Sequence, residues 1–218
     1  LNFSIRDVLN DVSSILESQA NERLIEFRVV VEETVADAFL GDATRIRQIL
    51  INLAGNAIKF TEKGSVTIVC AGHQVNKYHQ ELIFSIRDTG IGMDEEFTQK
   101  IFTKFQQADK SSSRRFGGTG LGMAITKELI EMMNGSITVQ SEKGVGTEVC
   151  AQLMLPVGDV TKIEMANNLP LQVALENRSV LLVEDNEMNR MVAINALLPY
   201  KMIVTQAENG LEAIEALK

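Results

Sequence analysis

The sequence has 218 residues, a formal net charge of −8 and two cysteines. An acidic chain lacks the positive charge that nucleic-acid binding normally needs, although local amides, a lysine or a metal ion can still bind phosphate. Its apolar runs are shorter than the roughly 18 residues that a membrane-spanning helix requires. We therefore expect a globular protein with no nucleic-acid partner and no membrane segment, and we interpret Cys70 and Cys150 as buried thiols.

In chain order, the sequence predicts alternating helices and strands. Apolar residues recur at helical spacing over residues 3–24 and 42–60, and Asp42 can cap the second of these helices. Residues 25–31 are rich in β-branched side chains and predict a strand. The segments "GSVTIVCAG" and "ELIFSIRD" predict a hairpin whose polar connection, "HQVNKYHQ", is longer than a tight turn. The further predicted elements are helices over 94–103 and 119–133 and the strands "SITVQS" and "TEVCAQLMLP".

These elements predict an α/β fold, namely a two-layer sandwich with a mixed sheet of about five strands under three helices. The pattern then weakens, and "RSVLLVEDNEMNRMVAINALL" and "KMIVTQAENGLEAIEALK" begin a βαβα pattern that is typical of doubly wound, flavodoxin-like folds. We predict a domain over 1–156, a linker over 157–177 and the start of a second domain over 178–218.

Two asparagines and a lysine share one edge of the predicted helix 42–60. At about 100° per residue, Asn52, Asn56 and Lys59 fall on a stripe beside the apolar core stripe. A solvated helix face is one interpretation. The other is a phosphate site, because an asparagine oxygen suits Mg²⁺ and a lysine one turn further on can contact a phosphate oxygen.

Two glycine-rich segments also allow two interpretations. Asp88 ends a predicted strand in "RDTGIGM", and the glycines after it fit either a plain turn or a planar base lying over Gly90 and Gly92. In the second case, Asp88 would accept a hydrogen bond from an exocyclic amine. The segment "FGGTGLGMAI" precedes a helix, where backbone amides can bind an anion, but it is not a P-loop.

The ordered motifs "NLAGNAIKF", "DTGIGM", "IFTKF", "GGTGLGM" and "KGVGT" resemble the N, G1, F, G2 and G3 boxes of the histidine kinase ATP-binding domain. The later motif "VLLVEDN" resembles the first strand and acidic pair of a response-regulator receiver. Together they are similar to a hybrid sensor histidine kinase. This resemblance implies a Bergerat-type sandwich that binds ATP and Mg²⁺, followed by a truncated receiver.

The resemblance assigns roles residue by residue. Asn56 would ligate Mg²⁺, Lys59 would contact phosphates, and Asp88 would hydrogen-bond the adenine amine. Phe60 falls where relatives place an aromatic against the nucleotide, with core packing as the alternative. The remaining nucleotide-binding positions that the resemblance implies are Gly90 and Gly92 beside the base, Gly118, Gly120, Leu121 and Gly122 at the phosphates, and Thr147 at the adenine pocket. Phe102 and Phe105 resemble residues of the F box.

Asn52 occupies the position at which ATPases similar to gyrase, Hsp90 and MutL have a water-activating glutamate. An amide is a poor general base, so Asn52 would spare the γ-phosphoryl group for another acceptor, and we regard Asn52 and Lys59 as the catalytic pair. Relatives often carry an arginine after the F box, where this chain has Gln106 and Gln107. Lys104, Arg114 and Arg115 are open candidates to replace that arginine.

In the family, the acceptor is a histidine on a dimerising helical hairpin, which neither His73 nor His79 resembles. Glu184 and Asp185 resemble receiver metal ligands, but the phospho-acceptor aspartate would follow Lys218. We therefore expect a monomeric, cytoplasmic piece of a kinase that cannot autophosphorylate alone, with inner-membrane anchoring of the parent left open. The alternatives are a gyrase-, Hsp90- or MutL-like ATPase and a degenerate docking module without catalysis.

Overall fold

The computed structural model describes residues 1–103, 122–167, 175–185, 190, 193–194 and 197–216. The chain divides into two compact units, Leu1–Ile163 and Glu164–Lys218. The predicted residues Gly118, Gly120, Leu121 and Phe105 lie outside the described residues, as do Lys104, Arg114 and Arg115.

The first unit alternates helices and strands around one sheet. Its elements are β1 (Asn2–Phe3), α1 (Ile5–Glu22), β2 (Glu26–Val31), β3 (Phe39–Leu40), α2 (Ala43–Phe60), β4 (Ser65–Asn76), β5 (His79–Asp88), α3 (Glu95–Lys100), α4 (Gly122–Met132), β6 (Ser136–Glu142) and β7 (Gly146–Pro156). The helix α5 (Val160–Asn167) begins in the first unit and ends in the second. The sheet has the order β2-β4-β5-β7-β6. Only the β2–β4 pair is parallel among these neighbours, so the predicted mixed five-stranded sheet is confirmed.

Helices α1, α2 and α4 cover one face of this sheet because apolar side chains alternate along the strands. Ile68, Ile86 and Val149 lie in one row of the register and are buried. The next positions along the strands belong to the other face and are less buried. The helices begin where side chains cap them, since Ser4 accepts a hydrogen bond from Asp7 N at 3.2 Å and Asp42 accepts one from Arg45 N at 3.1 Å.

The two cysteines lie on opposite faces of the sheet. Cys70 is buried under the helices, and burial raises the pKa of its thiol to about 12. Cys150 is only half-buried, and its Sγ lies 3.6 Å from Glu148 Oε1. The expectation of a buried thiol is therefore confirmed for Cys70 and wrong for Cys150, because Cys150 falls on the uncovered face.

The predicted long connection between β4 and β5 is wrong. The two strands extend to Asn76 and His79, so only two residues join them. Polar side chains hold this end of the hairpin: Asn76 Oδ1 accepts a hydrogen bond from Tyr78 N at 2.9 Å, and Gln74 Nε2 donates to His79 O at 3.3 Å. Polar residues therefore continue the strands beyond the apolar core instead of forming a loop.

The segment after β5 packs on the turn between β6 and β7. Gly144 N donates to Ile91 O at 2.8 Å, and Met93 N donates to Ser141 Oγ at 2.8 Å. Gly92 has a φ of +60°, and a Cβ there would overlap the carbonyl oxygen of Glu142. The glycine at position 92 is thus required by two backbones that approach each other closely.

The second unit contains two parallel strands, β8 (Ser179–Val183) and β9 (Ile203–Ala207), and the helix α6 (Gly210–Ala216). Glu184 follows β8, and its amide donates to Ala207 O at 3.1 Å. Arg190 donates to Glu184 O at 2.8 Å and to Glu208 Oε1 at 3.0 Å. Arg190 therefore links the ends of the two strands.

A matched pair of glycine variants tests the contact of the segment after β5. Gly92 and Gly144 both have positive φ, but a Cβ at Gly144 would meet nothing within 4 Å. We expect Gly144→Ala to lower the free energy of unfolding by about 1–2 kcal/mol through backbone strain alone. We expect Gly92→Ala to lower it by about 2–5 kcal/mol, because overpacking adds to that strain. Denaturant unfolding measures both values, and equal losses would contradict the contact.

Candidate functional site

Helix α2 brings the predicted polar stripe to one groove. Its core stripe, which includes Ile49 and Leu50, is buried, whereas Asn52, Asn56 and Lys59 are half-buried. These three residues line a groove of about 740 Å³ that α1 and α4 also border. The stripe is therefore only partly exposed to solvent, because α4 lies against Asn52 and Asn56.

Asn52 is held by the first turn of α4. Its amide nitrogen donates to Gly122 O at 2.8 Å and to the hydroxyl of Thr126. A Cβ at Gly122 would lie 2.8 Å from Asn52 Oδ1, so the glycine permits this close approach. This packing gives Gly122 a role in the described structure that is independent of any phosphate.

Asn56 makes a similar contact one turn further along α2. Its amide nitrogen lies 3.5 Å from the sulfur of Met123, which is a weak acceptor. Since the nitrogen faces α4, the amide oxygen lies on the other side of the side chain. No hydrogen bond to this oxygen occurs within the described part of the chain, which leaves its lone pairs available to a ligand.

Lys59 and Phe60 form the last turn of α2. The Lys59 ammonium lies 5.1 Å from the centre of the Phe60 ring, which is half-buried. The carbonyl oxygen of Lys59 accepts a hydrogen bond from Arg23 at 3.1 Å. Arg23 therefore satisfies a carbonyl at the end of α2 and also lines the groove.

Asp88 occupies the end of β5, where its carboxylate is tied to two backbone amides. Its Oδ1 accepts hydrogen bonds from Gly90 N at 2.8 Å and from Thr147 N at 3.3 Å. Burial raises the pKa of the Asp88 carboxyl above the ordinary value of 3.8, while these two hydrogen bonds oppose the rise. Its Oδ2 accepts no hydrogen bond from any residue that the structure describes.

The glycine after Asp88 fits against the end of α2. A Cβ at Gly90 would overlap the carbonyl oxygen of Phe60, and Ile91 N donates to that same oxygen at 3.2 Å. Thr147 pairs with Asp88 across β5 and β7, and its hydroxyl lies 2.9 Å from Ser141 Oγ. The end of α2, the Asp88 loop and β7 are thus one connected region.

The structure brings the predicted residues into two neighbouring groups. Asn52, Asn56, Lys59 and Gly122 line the groove. Asp88, Gly90, Gly92 and Thr147 surround the end of β5 and do not line it. Phe60 joins the two groups through its carbonyl oxygen. Phe102 lies near α4, where the Lys127 ammonium is 5.8 Å from its ring centre.

Sequence reasoning missed two residues that orient the asparagines. Thr126 is almost fully buried, and Met123 is half-buried in the same helix. A threonine in an otherwise apolar helical stripe was the available signal, because a buried hydroxyl needs a partner. The partner of the Thr126 hydroxyl is Asn52, which lies 74 positions away along the chain, and no periodic pattern predicts a contact at that separation.

The described residues lack two further features, a cluster of metal-binding side chains and a membrane-spanning helix. They contain no group of three or more His, Cys, Asp or Glu side chains that could hold a metal ion. None of the helices among them has both the length and the apolar character that a membrane span requires.

Comparisons with known proteins agree with this geometry. Residues 41–157, more than half of the chain, match the family model for histidine kinase-, DNA gyrase B- and HSP90-like ATPases. The chain is 41% identical over 169 residues to the sensor protein GacS of Pseudomonas syringae pv. syringae, which covers 78% of the chain and 18% of GacS. It is 35% identical over 226 residues to the hybrid signal transduction histidine kinase K of Dictyostelium discoideum, which covers 99% of the chain and 19% of that protein.

Solved structures show the same fold. Full-length ShkA in complex with AMPPNP superposes with a TM-score of 0.64 and 28% identity, over 99% of this chain and 42% of ShkA. The nucleotide-free catalytic domain of the histidine kinase ThkA superposes with a TM-score of 0.59 and 26% identity, over 72% of this chain and 95% of that domain.

The matched region and the relatives agree on one class. The chain spans about a fifth of the length of these two curated relatives. Both are named as sensor or signal-transduction proteins, and the matched region is the ATPase domain of sensor histidine kinases rather than of gyrase-like enzymes. The chain therefore belongs to the family of histidine kinase-, DNA gyrase B- and HSP90-like ATPases, in its histidine kinase branch.

Proposed function

We propose that the first unit binds ATP with Mg²⁺ along α2 and serves a parent kinase that transfers the γ-phosphoryl group to a histidine. The acceptor would lie on a dimerising helical hairpin, and the phosphoryl group would then pass to a receiver aspartate. The carrying observation is that α2 brings Asn52, Asn56 and Lys59 to one groove while its last carbonyl binds the Asp88 loop. ShkA, which was solved with the ATP analogue AMPPNP, supports the choice of nucleotide.

Each group of residues would bind one part of the nucleotide. The Oδ2 of Asp88, which accepts no hydrogen bond from the described residues, would accept one from the exocyclic amine of adenine, beside Gly90, Gly92 and Thr147. Phe60 would lie next to the nucleotide, and Lys59 would contact the phosphates. Gly122, together with Gly118, Gly120 and Leu121, would lie at the phosphate end.

The donor set fits magnesium better than a metal that needs a protein cage. Mg²⁺ usually keeps several waters and is held by only one or two protein side chains, most often carboxylates, together with substrate phosphates. Asn56 would supply the protein oxygen, since its nitrogen is occupied by Met123. When bound, the ion would neutralise charge on the phosphate oxygens.

The residue type at position 52 favours phosphoryl transfer to a side chain over ATP hydrolysis. The nitrogen of Asn52 is used by α4, and its neutral amide cannot take a proton from water. The groove therefore contains no general base at position 52. Positioning of the nucleotide and electrostatic stabilisation would then account for the reaction.

The same proposal assigns residues 178–218 to the start of a receiver, after a linker over 157–177. The parallel pair β8–β9 and the acidic residues Glu184 and Asp185 after β8 support it. Arg190 would keep the segment after β8 in place through its contact with Glu184 O. The phospho-acceptor aspartate and a cytoplasmic location of this piece, with inner-membrane anchoring of the parent left open, belong to this proposal as well.

Calorimetric titration tests the proposal directly. We expect the chain to bind Mg–AMPPNP at one site, and we expect Asn56→Ala to weaken this binding by roughly tenfold or more, since even outer-shell changes at metal sites cost about that much. Binding of adenosine should not change. Asn10→Ala removes an exposed asparagine of α1 and is the control. Absence of Mg–AMPPNP binding to the unaltered chain would contradict the proposal and favour a docking module.

The adenine assignment predicts a loss that depends on the base. Asp88→Asn keeps the size of the side chain but can place an amide nitrogen opposite the adenine amine. We expect adenosine and Mg–AMPPNP to bind roughly ten- to a hundredfold more weakly, which corresponds to one hydrogen bond to a charged group. Asp94→Asn is the control, because asparagine can also cap α3. Unchanged affinity for both ligands would show that Asp88 does not bind the base.

The raised pKa of Asp88 predicts a pH-dependent effect on stability. A folded-state pKa above 3.8 means that the stability contributed by protonated Asp88 is complete below 3.8 and is lost as pH rises through the folded-state value. We compare the free energy of unfolding of the wild type with that of Asp88→Asn. The wild-type value minus the variant value should fall as pH rises from 3.8 through the folded-state pKa, and should stay constant at higher pH. Denaturant titrations from below 3.8 to neutral pH measure it, and a difference that increases with pH would contradict the assignment.

A further inference from the structure

The amide of Asn52 is oriented by α4 with little ambiguity. Gly122 O can only accept a hydrogen bond, so the atom that faces it at 2.8 Å must be the nitrogen of Asn52. The same nitrogen donates its second proton to the hydroxyl of Thr126. Both amide protons are therefore used by α4, and the oxygen of Asn52 is not.

Thr126 is the buried member of this contact. Its exposed fraction is 1%, whereas Asn52 and Gly122 are half-buried at the groove. A buried hydroxyl that loses its partner is costly, so the pair is expected to persist in the folded protein. Thr126 lies one turn after Gly122, and the two acceptors together fix the direction of the Asn52 amide.

Asn56 is oriented in the same sense by Met123, which places its nitrogen towards α4. The first turn of α4 thus determines which atoms of both asparagines are left for a ligand. Both nitrogens contact α4, and neither oxygen accepts a hydrogen bond from the residues that the structure describes. A site for a cation and its bound waters needs oxygens in these positions, because Mg²⁺ prefers oxygen ligands.

We propose that Thr126 is a positioning residue, which holds α4 against α2 through Asn52 and so keeps the asparagine oxygens available to the metal-bound triphosphate. This inference rests on the proposed function, since it assumes that the groove binds the triphosphate. Thr126 borders the groove but is almost fully buried, so the role proposed for it is to orient Asn52 rather than to bind the ligand. Its effect is confined to the phosphate end and should not reach the adenine group around Asp88.

The test compares Thr126→Val with Thr126→Ser. Valine keeps the shape of threonine but cannot accept the hydrogen bond, whereas serine keeps the hydroxyl. We expect Thr126→Val to bind Mg–AMPPNP about three- to tenfold more weakly, as loss of one hydrogen bond would produce, and to bind adenosine as the wild type does. Thr126→Ser should restore most of the affinity for Mg–AMPPNP.

A second readout needs no nucleotide. In the wild type, both side-chain amide protons of Asn52 are hydrogen-bonded, so they should exchange slowly with solvent in nuclear magnetic resonance spectra. In Thr126→Val, at least one of them should exchange faster and change its chemical shift. If Thr126→Val fails to fold, Thr126→Ala replaces it in both measurements, because alanine also lacks the hydroxyl while Asn52 keeps its amide.

The outcomes separate the inference from the proposed function. A wild type that binds neither ligand overturns both. A wild type that binds Mg–AMPPNP, with Thr126→Val binding it equally well, overturns only the positioning role. A variant that loses affinity for adenosine and for Mg–AMPPNP by the same factor would assign Thr126 to stability alone and would also overturn it.

Discussion

The structure depends on the way in which α2 is buried. Ile46, Ile49 and Leu50 have almost no exposed surface, so this side of the helix faces the sheet. The period of 3.6 residues then places Asn52 and Asn56 at the boundary between α2 and α4. Burial of the apolar stripe of α2 therefore determines where the polar stripe lies. No further interaction is needed to bring the asparagines to the groove.

Contact with α4 also explains why an amide suits position 52. Gly122 presents a carbonyl oxygen to this side chain, and a carboxylate has no proton to donate to it. A glutamate at position 52 would place a carboxylate oxygen next to the carbonyl oxygen of Gly122, and neither atom can donate a hydrogen bond. Its side chain would otherwise have to turn away from α4. The chemistry that prevents Asn52 from activating water is thus the same chemistry that joins the two helices.

The sequence predicted the features that follow a period and missed those that follow from distant contacts. Helices α1 and α2, the mixed sheet and the shared edge of Asn52, Asn56 and Lys59 came from repeating patterns, and the structure confirms them. The turn after Asn76 was missed, because polar residues that continue a strand resemble a loop. Thr126 was missed because its partner lies in another helix.

The glycines near Asp88 also show the difference between what a sequence pattern predicts and what distant contacts determine. The sequence allowed either a plain turn or a base lying over Gly90 and Gly92, and in the described structure each glycine also has a packing reason that its spacing did not predict. Gly90 lies against the carbonyl of Phe60, and Gly92 lies against that of Glu142. These two contacts hold the loop that follows Asp88 against the end of α2 and against the end of β6. The stability cost of burying the Asp88 charge is offset in part by the amides of Gly90 and Thr147, which both donate to Oδ1, whereas Oδ2 accepts no hydrogen bond from the described residues.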